Sequence, residues 1–485
     1  MTVEIAVSDQ APTDVESDAV IVSATSTNET FALSDQAAKV DGVLDGYLTE
    51  WLTDIGYKAD VASIAIVPTH HRIPAKAVVV AGLGDVPTRS SIRRAAASAA
   101  RRLSERAGVV SALHGSDTQM VAASVEGFML GLHRSPTQKR DPKELKLSRI
   151  DVLGAGTSEI ERGRIYAGAT VLARDLVNEP ASVLDPEAFA ERARAVASDV
   201  GLECEIFDQD ELTKRGFGGL LAVARGSTNP PRLIRLHHKP RGAKGKVALV
   251  GKGVTFDSGG LSLKDPRGME TMKTDMGGGA AVLAAMAALP QLEVPIEVTA
   301  YIPATENMPS GSAIRPGDVI THYGGRTTEV LNTDAEGRLI LADALTFASE
   351  EHPQAVIDIA TLTGSMTVAL GNKMTGAFAN DDDLWAEFSA AAAEAAEPVW
   401  RLPLVEDYAK SLDSTVADMK NIGTRYGGAI VAALFLREFV GDGIPWVHLD
   451  IAGTGRSENG SDDCPKGGTG VMTRTLLEWL ERKSR

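Results

Sequence analysis

The stretch Asn332-Thr333-Asp334-Ala335-Glu336-Gly337-Arg338-Leu339 most narrows what this chain can fold into. It sets two carboxylates and a guanidinium at alternate positions, where an extended run gives way to a helix. Alternate residues of an extended segment share one side. Three strong charges facing one space are costly unless an ion or an ionic ligand sits among them. Read alone, the stretch fits equally a helix N-cap carrying a surface ion pair, and both readings stand at this point.

Two upstream runs bear on the choice. Val247 to Val250 reads as a short buried strand, and the chain then continues Gly251-Lys252-Gly253-Val254-Thr255-Phe256-Asp257-Ser258-Gly259-Gly260. The glycines let the backbone come close to a ligand. Next, Met272-Lys273-Thr274-Asp275-Met276-Gly277-Gly278-Gly279 opens an alanine-rich helix predicted over 279–289. Strand ends and helix starts of this kind form the ligand crevice of an open α/β sheet. Asp257, Asp275, Asp334 and Glu336 supply four negative charges, which two divalent cations would neutralise. Oxygen-rich ligation suits Mg²⁺ and Mn²⁺ and is acceptable to Zn²⁺. None of the nine histidines falls inside these runs, which argues against a histidine-rich zinc site. Lys252 has two readings: a solvated lysine, or a neutral amine that binds metal beside two cations.

These blocks resemble the leucine aminopeptidases, also called cytosol aminopeptidases, through most of residues 160–485. Asn332 to Leu339 matches that family's signature unchanged. The run ending in Asp257-Ser258-Gly259-Gly260 matches too, with the later Lys264 and Asp275-Met276-Gly277-Gly278. So do Arg174-Asp175-Leu176-Val177-Asn178, Thr361-Leu362-Thr363-Gly364 and His448-Leu449-Asp450-Ile451-Ala452-Gly453. The resemblance implies a two-metal site. Lys252, Asp257, Asp275 and Glu336 would hold one ion, and Asp257, Asp334 and Glu336 the other, with Asp257 and Glu336 bridging. It implies Mn²⁺ or Zn²⁺, with Mg²⁺ as a further candidate. Lys264 and Arg338 would be catalytic without ligating metal, Arg338 holding a bicarbonate that accepts a proton. Met272, Thr361, Leu362, Gly364 and Ala452 would line the pocket for the first side chain of a peptide substrate. Those residues are apolar or small, and Gly455 makes the pocket roomier, which suits leucine-like residues with broad specificity. Met272 fits ordinary core packing equally well. The resemblance also implies a homohexamer.

The expected architecture follows from length and pattern. A chain of 485 residues exceeds one typical core. We expect an α/β protein of two domains: a smaller N-terminal α/β domain over 1–155, for assembly or regulation, and a larger catalytic domain over 156–485. The larger one should carry a mixed sheet flanked by helices. Predicted strands include Ala19–Ser23, Val61–Val67, Ala77–Ala81, Arg149–Leu153, Val298–Ile302, Ala355–Ile359 and Trp446–Asp450. Predicted helices include Arg89–Arg106, Gln119–His133, Ser158–Val177 and Gly337–Glu350. The polar stretch Ser135–Lys146 reads as a linker or exposed loop.

Other signals bound the function. Two cysteines, Cys204 and Cys464, make no disulfide framework. The N-terminus lacks a signal-peptide pattern and no apolar run approaches a membrane span, so a cytoplasmic protein is expected. Gly82-Leu83-Gly84 fails as a dinucleotide fingerprint because Pro87 stands where the third glycine belongs. Arg93, Arg94, Arg101, Arg102 and Arg106 predict a basic helix that is solvated or contacts another subunit. A DNA-binding regulatory role is one alternative, opposed by a net charge of −16. A non-catalytic scaffold is the other.

Overall fold

The structure is a computed structural model that describes residues 3–28, 30–115, 117–140 and 145–483. The chain forms two compact units: residues 1–171 with 459–465, and residues 172–458 with 466–485.

The first unit is built on a seven-stranded sheet ordered Glu4–Ser8, Arg149–Leu153, Gly108–Ser111, Ala19–Thr27, Ala77–Gly82 and Ile64–Pro68. The seventh strand, Thr30–Leu33, pairs antiparallel with Ala19–Thr27. The central strands are parallel and buried on both faces, as their continuous Val/Ile/Ala runs require. The strand expected over Val61–Val67 begins only at Ile64. Ala59 and Ala62 hold positive φ (57° and 66°), so the first part of that apolar run is a turn. The helix expected to Arg106 ends at Arg102, and the one expected over Gln119–His133 spans Val121–Leu132 after a short 3₁₀ turn. Of the Ser135–Lys146 stretch, residues 141–144 lie outside the described residues.

The Arg89–Arg102 helix requires a correction. It is neither a solvated basic face nor open along its length, because the distant segment 459–465 packs with this unit. Arg93, only 4% exposed, pairs with Asp463 at 3.0 Å and with Glu126 at 3.7 Å. Arg94 pairs with Asp462 at 2.7 Å, and Arg101 donates to the Ser461 carbonyl. Only Arg102 and Arg106 of the group are exposed.

The second unit carries a nine-stranded mixed sheet, as expected. Its central parallel strands run in the order Trp446–Asp450, Val356–Ala360, Lys246–Gly251 and Glu297–Asn307. Thr375–Ala379 and Arg232–His238 pair antiparallel on either side. From Lys246–Gly251 the chain moves to Glu297–Asn307 on one side and then crosses back to Val356–Ala360 on the other. Right-handed crossovers therefore put the connecting helices, Gly277–Ala288 and Gly337–Ser349, on opposite faces. Gly277–Ala288 is buried at every residue, which explains a composition apolar all round. The carboxyl end of Lys246–Gly251 is thus a topological switch point, where open α/β sheets bind ligands.

Glu351 ties three strands of this sheet. It meets Arg235 at 2.5 Å, Lys246 at 2.7 Å and the Tyr301 hydroxyl at 2.7 Å. Burial would raise its carboxyl, but the bonds from Lys246, Tyr301 and Arg235 outweigh it and hold it down at about 2. A lowered carboxyl stabilises the fold above its ordinary value of 4.5 and loses that contribution as pH falls towards 2. Glu351→Gln is therefore expected to lower the urea midpoint at pH 7, and the gap from the parent should close as pH falls from 4.5 towards 2. A gap independent of pH would show that the carboxylate charge is not what stabilises.

Candidate functional site

The strand that starts at Lys246 breaks once. It pairs with Glu297–Asn307 up to Val250, is interrupted at Lys252, whose N–H donates to the Ile359 carbonyl at 3.0 Å, and rejoins the same partner in unchanged register at Gly253, the start of Gly253–Asp257. The break turns Lys252 into the space beyond the strand ends, and the resumed strand delivers Asp257 to the same space. Lys252 is 2% exposed. Its ammonium lies 2.7 Å from Asp275, 2.8 Å from Glu336 and 3.0 Å from the Thr361 carbonyl. Lys264 stands opposite, 2.8 Å from Asp257 and 2.5 Å from Asp334. One carboxylate oxygen from each of Asp257, Asp334 and Glu336 lies within 4.8 Å of the others. All six charged residues therefore share one space.

Two glycines explain the local sequence. A Cβ on Gly337 would lie 2.7 Å from Lys252 Cε and 2.8 Å from its Nζ, so the helix must open on glycine for the lysine to pass over it. Gly259, at φ +86°, turns the chain after Asp257 so that its N–H donates to Asp257 Oδ1 at 2.8 Å.

The electrostatics are those of crowded acids. Burial, together with Asp257 and Glu336, pushes the Asp275 carboxyl well up. Burial and Asp257 do the same to Glu336, and burial to Asp334. Burial alone would lower Lys252 and Lys264, yet the surrounding carboxylates hold both above the ordinary lysine value. Two ammonium groups offset only half the charge of four carboxylates. Asp275 Oδ2 and Asp334 Oδ1 are buried and meet the ammonium groups of Lys252 and Lys264 at 2.7 and 2.5 Å. An all-oxygen set with one amine, short of positive charge, fits hard or borderline divalent cations.

Arg338 occupies the first turn of Gly337–Ser349 and is 8% exposed. Its Nη1 donates to the Asn421 carbonyl at 2.7 Å, while Nε is buried without a hydrogen-bond partner. Burial pushes its guanidinium down to about 10, against the pull of Glu336 and Asp450.

The remaining expected positions gather nearby. Thr361 donates to Asp275 Oδ1 at 2.8 Å, and Leu362 N–H donates to Asp450 at 3.1 Å. Asp450 also accepts from Thr363 and Ala452 N–H, so one buried carboxylate fixes both loops. Gly364 opens a short helix, and Met272 is half-buried in a 3₁₀ turn three residues before Asp275. A Cβ on Gly455 would sit 3.4 Å from the Thr361 methyl. His448 makes none of these bonds. It is buried against Asp358 at 2.6 Å, and Trp446 Nε1 donates to the same carboxylate.

Sequence reasoning missed Asn307 and Asn421. Asn307 Nδ2 donates to Asp257 Oδ1 and to the Thr333 carbonyl, at 2.8 and 2.9 Å. The only available signal was an asparagine ending an apolar strand in an otherwise buried run.

The chain is similar to known proteins over almost its whole length. Residues 171–477 match the model of the cytosol aminopeptidase family catalytic domain, and residues 21–142 match that family's N-terminal domain. A probable cytosol aminopeptidase of Streptomyces coelicolor is 42% identical over 506 residues, covering 98% of each chain. Among solved structures, the bottromycin maturation enzyme BotP in complex with Mn is 39% identical, with a TM-score of 0.87 over 97% of this chain and 100% of that one. A tomato leucine aminopeptidase variant is 34% identical, with a TM-score of 0.89 over 99% and 97%.

Proposed function

The chain belongs to the cytosol aminopeptidase family, and we propose that it removes leucine and other apolar residues from peptide N-termini through a two-metal centre. That it is a metal-dependent aminopeptidase follows from the family. The assignment of individual residues rests on one observation: Asp257, Asp334 and Glu336 converge, and the ammonium groups of Lys252 and Lys264 lie within ion-pair distance of them.

In this reading Lys252, as a neutral amine once a cation stands in its place among the carboxylates, would with Asp257, Asp275 and Glu336 hold one ion, and Asp257, Asp334 and Glu336 would hold the other. The manganese named with the BotP structure supports Mn²⁺, with Zn²⁺ and Mg²⁺ as alternatives. When bound, the cations would supply Lewis acidity and an acidified water, and a bicarbonate would supply a proton acceptor. Lys264 stands 2.8 Å from Asp257 and 2.5 Å from Asp334, beside the space where the scissile carbonyl would sit. It therefore serves as a fixed cation for the oxyanion that forms on the scissile carbonyl, not as a base. Asp275, oriented by Thr361, accepts from the free α-amine of the substrate, which confines cleavage to the N-terminus. Met272, Thr361, Leu362, Gly364 and Ala452 line the first side-chain pocket. Its small apolar walls discriminate by only about 1–3 kcal/mol per methylene, which favours broad specificity.

Release of leucine from a leucyl anilide is expected to vanish on exhaustive chelation and return with Mn²⁺. Full activity in the chelated protein would overturn the metal reading, and cleavage confined to one residue among N-terminal Leu, Met, Ile and Phe dipeptides would overturn broad specificity. Family membership also supports a cytoplasmic homohexamer. Light scattering of the purified protein would test the assembly, a monomer arguing against it. No described helix is long and apolar enough to cross a membrane.

A further inference from the structure

Asn421 is fully buried and follows the short strand Met419–Lys420. That strand pairs in parallel with Thr327–Glu329, and the Asn421 N–H continues the ladder to the Glu329 carbonyl at 3.0 Å. Beyond Glu329 the chain leaves regular structure until Gly337, so its backbone groups need partners from elsewhere. The Asn421 amide supplies them. Its Oδ1 accepts from Leu331 N–H at 2.8 Å and Asn332 N–H at 3.3 Å. Its Nδ2 donates to the Asn332 carbonyl at 2.6 Å and the Ala335 carbonyl at 3.4 Å. Both donors and both acceptor positions of the amide are used. The backbone carbonyl of the same residue receives Arg338 Nη1.

We infer that Asn421 is a positioning residue, whose side chain sets the segment carrying Asp334 and Glu336 while its carbonyl aims Arg338. The segment has a second anchor on its other side. Thr333 Oγ1 donates to the Gly259 carbonyl at 2.6 Å and accepts from Ser262 N–H at 2.8 Å, and Asn307 holds the Thr333 carbonyl. That anchor ties Thr333 to the turn after Asp257. Ala335, which lies between the two carboxylates, has its carbonyl bonded by Asn421. An amide is the side chain suited to this place, because it alone donates and accepts twice in one plane without charge beside Glu336.

The inference rests on the two-metal reading, and the test separates the two. Groups that orient metal ligands typically change affinity or activity about 10–100-fold when removed. Full-length apo-protein is titrated with Mn²⁺ by calorimetry well below its unfolding temperature. Asn421→Ala is expected to weaken one of two Mn²⁺ sites about 10–100-fold and to lower kcat comparably, with KM changed less. Asn421→Asp keeps the acceptor for Leu331 and Asn332 but loses both donors, so it should weaken the same site, and it decides the matter where the alanine variant does not fold. Parent-like Mn²⁺ affinity and kcat in the folded variants, with only a lowered Tm, would overturn the positioning role. Asp334→Asn is the control. Two undiminished Mn²⁺ sites in that variant would sink the ligand assignment of Asp334 itself, whatever Asn421 does.

Discussion

Glu336→Gln is expected to lower kcat/KM on a leucyl anilide by about 1,000-fold or more while leaving the metal-free fold as stable as the parent, or more so. The loss follows from position. Glu336 is 2% exposed, immediately precedes the Gly337–Ser349 helix without a side-chain capping bond, shares the converging cluster with Asp257 and Asp334, and meets Lys252 at 2.8 Å. An amide of the same size keeps the packing but removes the charge that the proposed metal-holding role would need, and its neutral oxygen is a poor substitute. Positional errors of about 1 Å around a reacting centre already cost on the order of 100-fold, and loss of a ligand costs more. The stability half follows from burial. Burial and Asp257 both oppose the Glu336 charge in the folded protein, so neutralising it relieves strain that the site retains for binding cations. Thermal melts with and without Mn²⁺ would read both halves. The parent should gain Tm on adding Mn²⁺ by mass action, and the variant should gain much less. A variant within 10-fold of parental activity would remove Glu336 from the metal centre.

What the sequence discloses about this site depends on how far each residue's partners lie along the chain. Asp257, Asp275, Asp334 and Glu336 stand out because carboxylates beside glycines at the ends of apolar strands are expensive without a ligand. Lys252 is ambiguous from sequence, since its meaning comes from partners on distant segments, Asp275, Glu336 and the Thr361 carbonyl. Asn421 was not legible at all. The partners of its side-chain amide are backbone groups 86–90 residues away, and backbone partners leave no mark on composition. The solvated reading of the basic helix failed for a related reason. Asp462 and Asp463 lie 368 and 370 residues from Arg94 and Arg93, and nothing local to Arg89–Arg102 announces them. The Val61 to Ser63 error was local instead: apolar residues suited a strand, but the positive φ of Ala62 left it outside the ladder.

Arg338→Ala should lose about 100–1,000-fold in kcat with a small change in KM, and added bicarbonate or small carboxylates should restore part of it. The first turn of a helix presents unsatisfied N–H groups and the positive end of the helix dipole. Arg338 lies in that turn, buried, with one arm on the Asn421 carbonyl and its Nε unpartnered. A buried guanidinium pushed down to about 10 is short of negative charge at close range, although Glu336 and Asp450 act on it from farther off. A planar anion seated on that fork would satisfy Nε and supply the proton acceptor that a guanidinium itself cannot be. General-base contributions of this kind amount to roughly 100–10,000-fold, which sets the size of the loss. Rescue should be partial, because the helix N-terminus alone attracts an anion but does not orient it. Arg338→Lys should not recover parental activity, since a point charge lacks the two-pronged geometry. Parental activity in Arg338→Ala would sink the anion-holding role, and a loss indifferent to bicarbonate at every concentration would reduce Arg338 to electrostatic support of Glu336.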